Sequence, residues 1–460
     1  MPRTMPIDPR TGVSKLATYP YQILTWVDDA GYPQSVAIEG SFDATGKASF
    51  PAPAGLDVPT DREVSLTGSH IRPMPGYGYD ERRHVTAWGR IARDGAGLSF
   101  MATAAWGWDE QELSFFEYSE RSVGQSRRYF DALTLERGTP VRPRLARGWL
   151  ALRATRLPFL TATLVPVLIG IAIAASRGFF NPVTALLTVV GGSLIQIGLN
   201  VANDVFDTTQ GADDVNVTPT KYSGGSRVIQ YGLVSLSEMK LVSAGAYLGG
   251  IAIGILLLAL SGSLALLLIG VVGVVISLGY TAPPLRLVYR GFGEIAVALG
   301  FGPLMLVGSY VVQSRGALAW EPFAASVPIG LLVALILYVN EIPDRRGDAT
   351  AGKRTIPVRL GRETIVRGYD ATVIAAYAAT LVAVVAGVLP LPALAILLTI
   401  PFARQVHAGL RPNYDNPYAL MAVMATNIKL HAAAGALLLG AYAVVLLAHA
   451  IAPTLPVYVR

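Results

Sequence analysis

The sequence predicts a chain of two solvent classes: a small antiparallel β-barrel in water, then an all-α bundle of about nine helices that crosses a membrane repeatedly. Three observations lead there. The 460 residues are 52% hydrophobic and only 15% charged, which is too apolar for one soluble domain of this size. Residues 1–148 nevertheless read as ordinary soluble protein, with 17 Lys/Arg against 18 Asp/Glu, while the rest alternates long apolar runs with short polar loops. The net charge of +6 therefore belongs to the second part, which holds 20 basic and 13 acidic residues.

Taken in order, residues 1–14 read as a tail without the apolar stretch of a secretory signal, so the N-terminal domain is expected in the cytoplasm. Residues 15–105 hold short strand-like runs punctuated by turns at DDAG (28–31), DATGK (43–47) and RDGAG (93–97), the pattern of hairpins. A helical stretch, FFEYSERSVGQSRRYFDALTLERG, closes a domain placed at 15–137, and a basic linker over 138–150 leads into a membrane domain at 151–460. No cysteine occurs, which excludes disulfides, thiolate metal sites and cysteine nucleophiles. The five histidines show no ligand spacing, no phosphate-binding or nucleophile-elbow motif is present, and no nucleic-acid partner is expected.

Nine apolar runs approach the roughly 20 residues that span a bilayer: 157–176, 182–205, 238–260, 263–281, 292–313, 326–343, 367–389, 391–408 and 430–452. A cytoplasmic start puts the loops 206–237, 282–291, 344–366 and 409–429 on the inner side. Those loops carry twelve of the 20 basic residues of this part, and the opposite loops offer little beyond Arg177 and Arg315, as the positive-inside bias requires.

Seven of the thirteen acids of this part fall in two groups, Asp204, Asp207, Asp213 and Asp214, then Glu341, Asp344 and Asp348. Asn203 and Asp207 are four apart, as are Asn340, Asp344 and Asp348, so each set can share one helix edge. Pro343 and Gly347 are expected to break the second helix there. Neighbouring carboxylates about 5–6 Å apart repel by roughly 3 kcal/mol at an effective dielectric near 20, a cost that a divalent cation reverses. Oxygen donors without His or Cys suit Mg²⁺, completed by substrate phosphates. Lys221, Arg227, Arg286, Arg290, Lys353 and Arg354 stand beside the acids, able to hold a diphosphate, although positive-inside bias alone also accounts for them. Asp214, Glu341 and Asp415 are expected to be solvated loop residues.

These residues resemble the UbiA superfamily of intramembrane prenyltransferases over essentially 149–460. NDVFDTTQG matches its first aspartate motif at Asn203, Asp204 and Asp207, with Gly211 in place of the last Asp and Asp213 two residues on; Asp344 to Asp348 gives the second motif intact. The departure at Gly211, with YTAPPLRLVYRGFGE and GKRTIPVRLG, resembles the 1,4-dihydroxy-2-naphthoate polyprenyltransferase branch. The resemblance implies nine helices around a cavity open to lipid. It implies Mg²⁺ held by Asn203, Asp207, Asp344 and Asp348 on a polyprenyl diphosphate, with Asp204 in the catalytic motif, Asp213 an open substitute ligand, and attack by an aromatic acceptor on an allylic cation. Asn200, Tyr280 and Asn340 are candidates for the acceptor side, with helix-packing hydrogen bonds an equal alternative for the first two. Another acceptor (a different aromatic acid, a tetrapyrrole or a glycerol phosphate) and a cation-coupled transporter remain alternative readings.

The N-terminal part resembles a split-barrel, flavin-binding domain of the pyridoxamine 5′-phosphate oxidase type over 15–137. This implies FMN as a candidate cofactor, with Arg72, Arg82, Arg83 and Arg90 as available cations and none assigned, and homodimerisation through this domain.

Overall fold

The computed structural model describes residues 6–73, 79–95, 97–143, 145–452 and 457–459. The chain divides into two compact units, 1–124 and 125–460. Residues 1–5 of the expected tail and Arg144 of the expected linker lie outside the described residues.

The first unit is a single antiparallel sheet of eight strands: β1 (Pro6–Ile7), β2 (Gln22–Val27), β3 (Pro33–Ile38), β4 (Ser41–Phe42), β5 (Lys47–Pro51), β6 (Val64–Pro73), β7 (Tyr79–Asp94) and β8 (Gly97–Asp109). Their order is β3-β2-β6-β7-β8-β5-β4, with β1 added on β8. The ends of this path do not pair among the described residues, so the expected barrel is a curled half-barrel. All three predicted turns fall between paired strands. Alternation puts Leu24, Trp26, Val64, Leu66 and Phe100 inward. At the β7–β8 bulge Gly89 is obligatory, since a Cβ there would stand 2.0 Å from the Met101 carbonyl oxygen. The stretch expected to be a tail supplies β1 and most of α1 (Pro9–Leu16), whose Val13 and Leu16 are fully buried in the sheet core. Asp8 caps α1 by accepting from the Thr11 N–H at 3.0 Å. Eight residues were too short a window for a periodicity signal.

After α2 (Phe115–Arg137) and α3 (Arg147–Ala154), every predicted apolar run is helical: α4 (Thr161–Ser176), α5 (Pro182–Thr209), α6 (Leu236–Ser261), α7 (Leu264–Gly279), α8 (Gly293–Gln313), α9 (Trp320–Thr350), α10 (Arg362–Val385), α11 (Leu391–Asn413) and α12 (Leu420–Ile451). Seven are long and apolar enough to cross a membrane, while α4 and α7 are shorter apolar helices. Leu248, Leu264, Ile374 and Val382 are more than half exposed along these helices, as lipid-facing residues are. The protein is an integral membrane protein.

Small residues set the close crossings. A Cβ on Gly302 of α8 would meet the Ser326 carbonyl oxygen at 2.9 Å, and one on Gly330 of α9 the Ala298 carbonyl oxygen at 2.6 Å, so backbones touch where these helices cross. Between α5 and α6 a Cβ on Gly191 would press on Ile253 at 2.9 Å and one on Gly250 on Ile195 at 2.8 Å, so side chains of each helix pack onto a glycine of the other. Within α8, Gly300–Leu304 forms a π-helical turn around Pro303. The expected break at Pro343 does not occur, because α9 continues to Thr350. Val339 and Ile342 are fully buried against α10–α12, and this packing outweighs the one hydrogen bond that proline removes.

Candidate active site

The inner edge of α5 is built by spacing. Asn203 Nδ2 donates to Asp207 Oδ2 at 3.2 Å, as residues four apart on one helix can, and Thr281 Oγ1 donates to Asn203 Oδ1 at 2.7 Å. Asp207 also accepts from the Tyr289 hydroxyl at 2.8 Å and from Lys353 Nζ at 2.9 Å. The same ammonium lies 3.7 Å from Asp348 Oδ1, so one lysine bridges the two acidic clusters. Burial alone would push Lys353 down, but Asp207 and Asp348 outweigh it and hold the lysine well above its usual range, hence charged.

Helix α5 ends at Gly211, whose φ of +79° suits a residue without Cβ and turns the chain into the short helix Ala212–Val215. The turn carries Asp213 back to a buried position beside Asp204. Burial, then the neighbouring Asp207 and Asp204, raise the Asp213 carboxyl well above the usual carboxylate range. Gly224 and Gly225 follow, both at positive φ. The Gly224 N–H donates to Asp344 Oδ2 at 2.8 Å while Asn216 Nδ2 donates to Asp344 Oδ1 at 2.9 Å, so the first loop grips the second acidic helix. A Cβ on Gly225 would stand 3.1–3.2 Å from carboxylate oxygens of Asp204 and Asp213.

Together these elements enclose a chamber of about 170 Å³ lined by Asn200, Asn203, Asp207, Asp213, Tyr280, Asn340, Asp344, Asp348 and Lys353 among the sequence-predicted residues. Gln196, Leu199, Tyr280, Val297 and Phe301 also line an adjoining apolar cavity of about 480 Å³ walled by α4–α8. The sequence-predicted residues divide. Asp204 does not line the chamber; its Oδ2 accepts the Ser226 N–H at 3.1 Å, bracing the glycine loop. Arg227 is buried and donates to the Asp213 carbonyl oxygen. Lys221 is exposed above the Tyr222 ring. Arg286 and Arg354 line a separate cavity of about 410 Å³ with Tyr289, Arg290, Gly352 and Arg359. Tyr289 is the partition, with the Arg286 guanidinium 4.3 Å from its ring centroid and Lys353 Nζ at 4.9 Å.

Other basic residues of these loops are neutralised: Arg345 and Arg362 reach Asp415, and Arg411 reaches Glu363. Asp415 is thus an exposed loop residue, as expected, whereas Asp214 is exposed but lies in the short helix Ala212–Val215. Glu341 is the correction: it lies inside α9, is 6% exposed and lines the chamber, because the helix does not break at Pro343. Tyr289 and Asn216 were also missed, since a single Tyr or Asn in a loop carries no spacing signal. Among nearby aromatics, Phe301 lines the chamber, whereas Tyr310 packs in the core and the Tyr338 hydroxyl donates to the Ile365 carbonyl oxygen at 3.0 Å.

In the N-terminal unit Arg72 is held by Asp80 and Glu81, Arg82 by Glu110, and Arg83 lies 5.7 Å from the Tyr19 ring centroid. Of the four arginines available for a flavin phosphate, Arg72 and Arg82 are thus paired with carboxylates, and Arg83 faces an aromatic ring.

Buried carboxylates at helix ends, bridged by one cation and opening on an apolar cavity, define an intramembrane enzyme for an amphiphile with an anionic head. The chain belongs to the UbiA prenyltransferase family, which it matches over residues 163–429, and it is a polyprenyltransferase. It is 31% identical over 231 residues to the 1,4-dihydroxy-2-naphthoate octaprenyltransferase of Escherichia coli (strain K12), covering 49% of this chain and 72% of that protein. It is 27% identical over 303 residues to the 2-carboxy-1,4-naphthoquinone phytyltransferase of Synechocystis sp., covering 65% and 94%. A solved UbiA homolog from Archaeoglobus fulgidus bound to DMAPP and Mg²⁺ aligns at 16% identity with a TM-score of 0.47, covering 63% of this chain and 99% of that one.

Proposed function

We propose that the chamber transfers a polyprenyl group from its diphosphate to 1,4-dihydroxy-2-naphthoate, a step of menaquinone biosynthesis. The observation that carries this is the convergence of Asp207 and Asp348, from two helices, on the Lys353 ammonium at the mouth of an apolar cavity. Support for the acceptor comes from the relatives named for that naphthoate.

The donor set fits Mg²⁺. It is all oxygen, Asp204 Oδ1 and Asp213 Oδ2 are buried without a partner, and a cation already sits between the clusters. Among the described residues no three acids stand close enough to cage a metal alone, which suits an ion that keeps waters and shares substrate phosphates. Asn203, Asp207, Asp213, Asp344 and Asp348 are the residues that would hold it, Asp213 standing in for the acid absent at Gly211. Mg²⁺ would supply charge neutralisation for the diphosphate. Lys353 hydrogen-bonds the leaving diphosphate as the C1–oxygen bond breaks. Arg286 and Arg354, beyond Tyr289, hold diphosphate on the loop side, while Lys221 and Arg227 support the loop. The apolar wall of Leu199, Val297 and Phe301 excludes water from the allylic cation.

In the same reading the chain sits in the cytoplasmic membrane with its N-terminal unit and chamber loops on the cytoplasmic side. The N-terminal unit is a folded module that pairs two copies of the chain; flavin absorption bands in purified protein would add FMN to it.

The test incubates membranes with Mg²⁺, a labelled polyprenyl diphosphate and a panel of acceptors. Native protein should prenylate 1,4-dihydroxy-2-naphthoate with release of carbon dioxide, and Asp207→Ala and Asp348→Ala should each lose about 10³-fold or more. Product only with another aromatic acid, a tetrapyrrole or a glycerol phosphate would reassign the acceptor. No product with any acceptor from folded protein would overturn the transferase.

A further inference from the structure

One wall of the chamber is built of acceptor atoms that have no donor. Glu341 is 6% and Glu294 8% exposed. Oδ1 of Asn340 and Oε1 of Gln196 are buried without a hydrogen-bond partner among the described residues, and the Glu341 and Glu294 carboxyls lie within hydrogen-bond reach of each other, so one proton shared between them leaves a Glu341 oxygen unmatched. Gln196, Asn340 and Glu341 line the chamber, and Glu294 adjoins Glu341 from the first turn of α8. The amide orientation of Gln196 is set by its Nε2, which donates to Asn200 Oδ1 at 3.2 Å while Asn200 Nδ2 donates to the Thr155 carbonyl oxygen at 3.2 Å. A Cβ on Gly293 would press on Leu337 and Val288 at 3.2 Å, while it would only touch Glu341 Oε1 at 3.6 Å. Around these oxygens the lining is apolar, with Val297, Phe301, Val333 and Leu337 offering flat contact to a ring.

An unmatched buried acceptor costs about 1–3 kcal/mol, so these three favour a ligand that brings donors. A diphosphate brings none, and an isoprenoid brings none. A ring carrying hydroxyl groups brings them and fits the apolar surround.

We propose that Glu341 receives a phenolic hydroxyl of the prenyl acceptor and takes its proton, with Gln196 and Asn340 accepting from a second hydroxyl and Glu294 positioning Glu341. This rests on the transferase reading above and deepens it by assigning the acceptor's contacts. The phenolic O–H bond breaks and its proton passes to a Glu341 carboxylate oxygen. The electron pair left on the ring oxygen drives the ring carbon onto prenyl C1, whose bond to the diphosphate oxygen breaks with its pair leaving on diphosphate. The attacked carbon then loses a proton to solvent, or its carboxylate as carbon dioxide, and the ring becomes a phenolate again. Glu341 returns its proton to that oxygen. The titratable groups facing Glu341 are Glu294, Asp348, Lys353, Tyr280 and Tyr338, so Lys353 is the one cation among them.

The test compares membranes holding native protein, Glu341→Gln and Glu294→Gln, with the same polyprenyl diphosphate and 1,4-dihydroxy-2-naphthoate or its monomethyl ethers. Glu341→Gln should lower kcat/KM for the acceptor by about 10²–10⁴-fold, the range of general-base catalysis, with KM for polyprenyl diphosphate unchanged. Its rate should recover at high pH, where the acceptor ionises by itself, and its preference for the free phenol over the ethers should shrink. Glu294→Gln should shift the pH profile with a smaller loss. If Glu341→Gln does not reach the membrane folded, Glu341→Asp, which moves the carboxylate back by one methylene, should show the same split. Native-like acceptor kcat/KM and ether discrimination in the Glu341 variant would overturn this inference alone. Absence of transfer by native protein would overturn the transferase reading, and this assignment with it.

Discussion

The two units treat charge in opposite ways. In the N-terminal unit carboxylates are matched locally by arginines: Arg82 Nε donates to Glu110 at 3.0 Å, Arg72 Nε to Asp80 at 2.8 Å, and Arg62 reaches Asp29 at 2.6 Å, all on or near the surface. In the second unit Asp204, Asp207, Asp213, Glu294, Glu341, Asp344 and Asp348 are gathered in one small volume with Lys353 as the bridging cation. Such a cluster is unfavourable for folding and persists where a ligand completes it. The ion pairs of the first unit are local and close to solvent, whereas Lys353 of the second unit is buried between carboxylates of the proposed site.

The largest way to break this contrast is Lys353→Met, which keeps the stem and removes the ammonium. Turnover should fall about 10²–10³-fold, as when one donor to a developing oxyanion is lost, and titrating polyprenyl diphosphate would show whether the loss lies in kcat or in binding. A pure folding defect with native specific activity would break the contrast. In the first unit Arg82→Ala should lower stability by about 1 kcal/mol or less, because both partners retain about a quarter of their side-chain exposure, 27% and 26%. Specific activity should not change, and a loss of turnover would give this unit a catalytic part.

The smallest effect is a pH slope. Burial beside Trp108 and Tyr118 lowers the His84 pKa from its usual value, and no carboxylate accompanies it there. The unfolded chain then takes up the proton first, so the contribution of His84 is complete above about pH 6.5 and declines as pH falls through that value. Four of the six tryptophans, Trp26, Trp88, Trp106 and Trp108, lie in this unit, so fluorescence-detected melting of the full chain reports on it. His84→Phe should flatten the acid limb between about pH 5 and 7.

What the sequence revealed follows from how locally each signal is encoded. The apolar runs, the turns and the spacing-four pairs Asn203/Asp207 and Asp344/Asp348 are local patterns, and the structure has them at those positions. Three features needed the third dimension. The separation of Arg286 and Arg354 from the chamber depends on where Tyr289 stands, which neither residue encodes. The continuity of α9 through Pro343 depends on packing from α10 and α12. Glu341 looked like one more loop acid because it stands just before the break expected at Pro343. The π-helical turn at Gly300–Leu304 and the strand and helix within residues 6–16 left no periodic trace.

The crossing at Gly302 and Gly330 bears on how the chamber can vary. Two helices in backbone contact have no side-chain layer between them to swell or shrink, so their separation is a fixed dimension of the molecule. Glu294 and Glu341 project from these same two helices, toward the end where the loops lie. The separation of the two main chains that carry these carboxyls is thereby held fixed near the crossing. In the proposed site, a change in the size of an accepted ring would then be absorbed by side chains of other lining elements, such as Phe159 and Ala162.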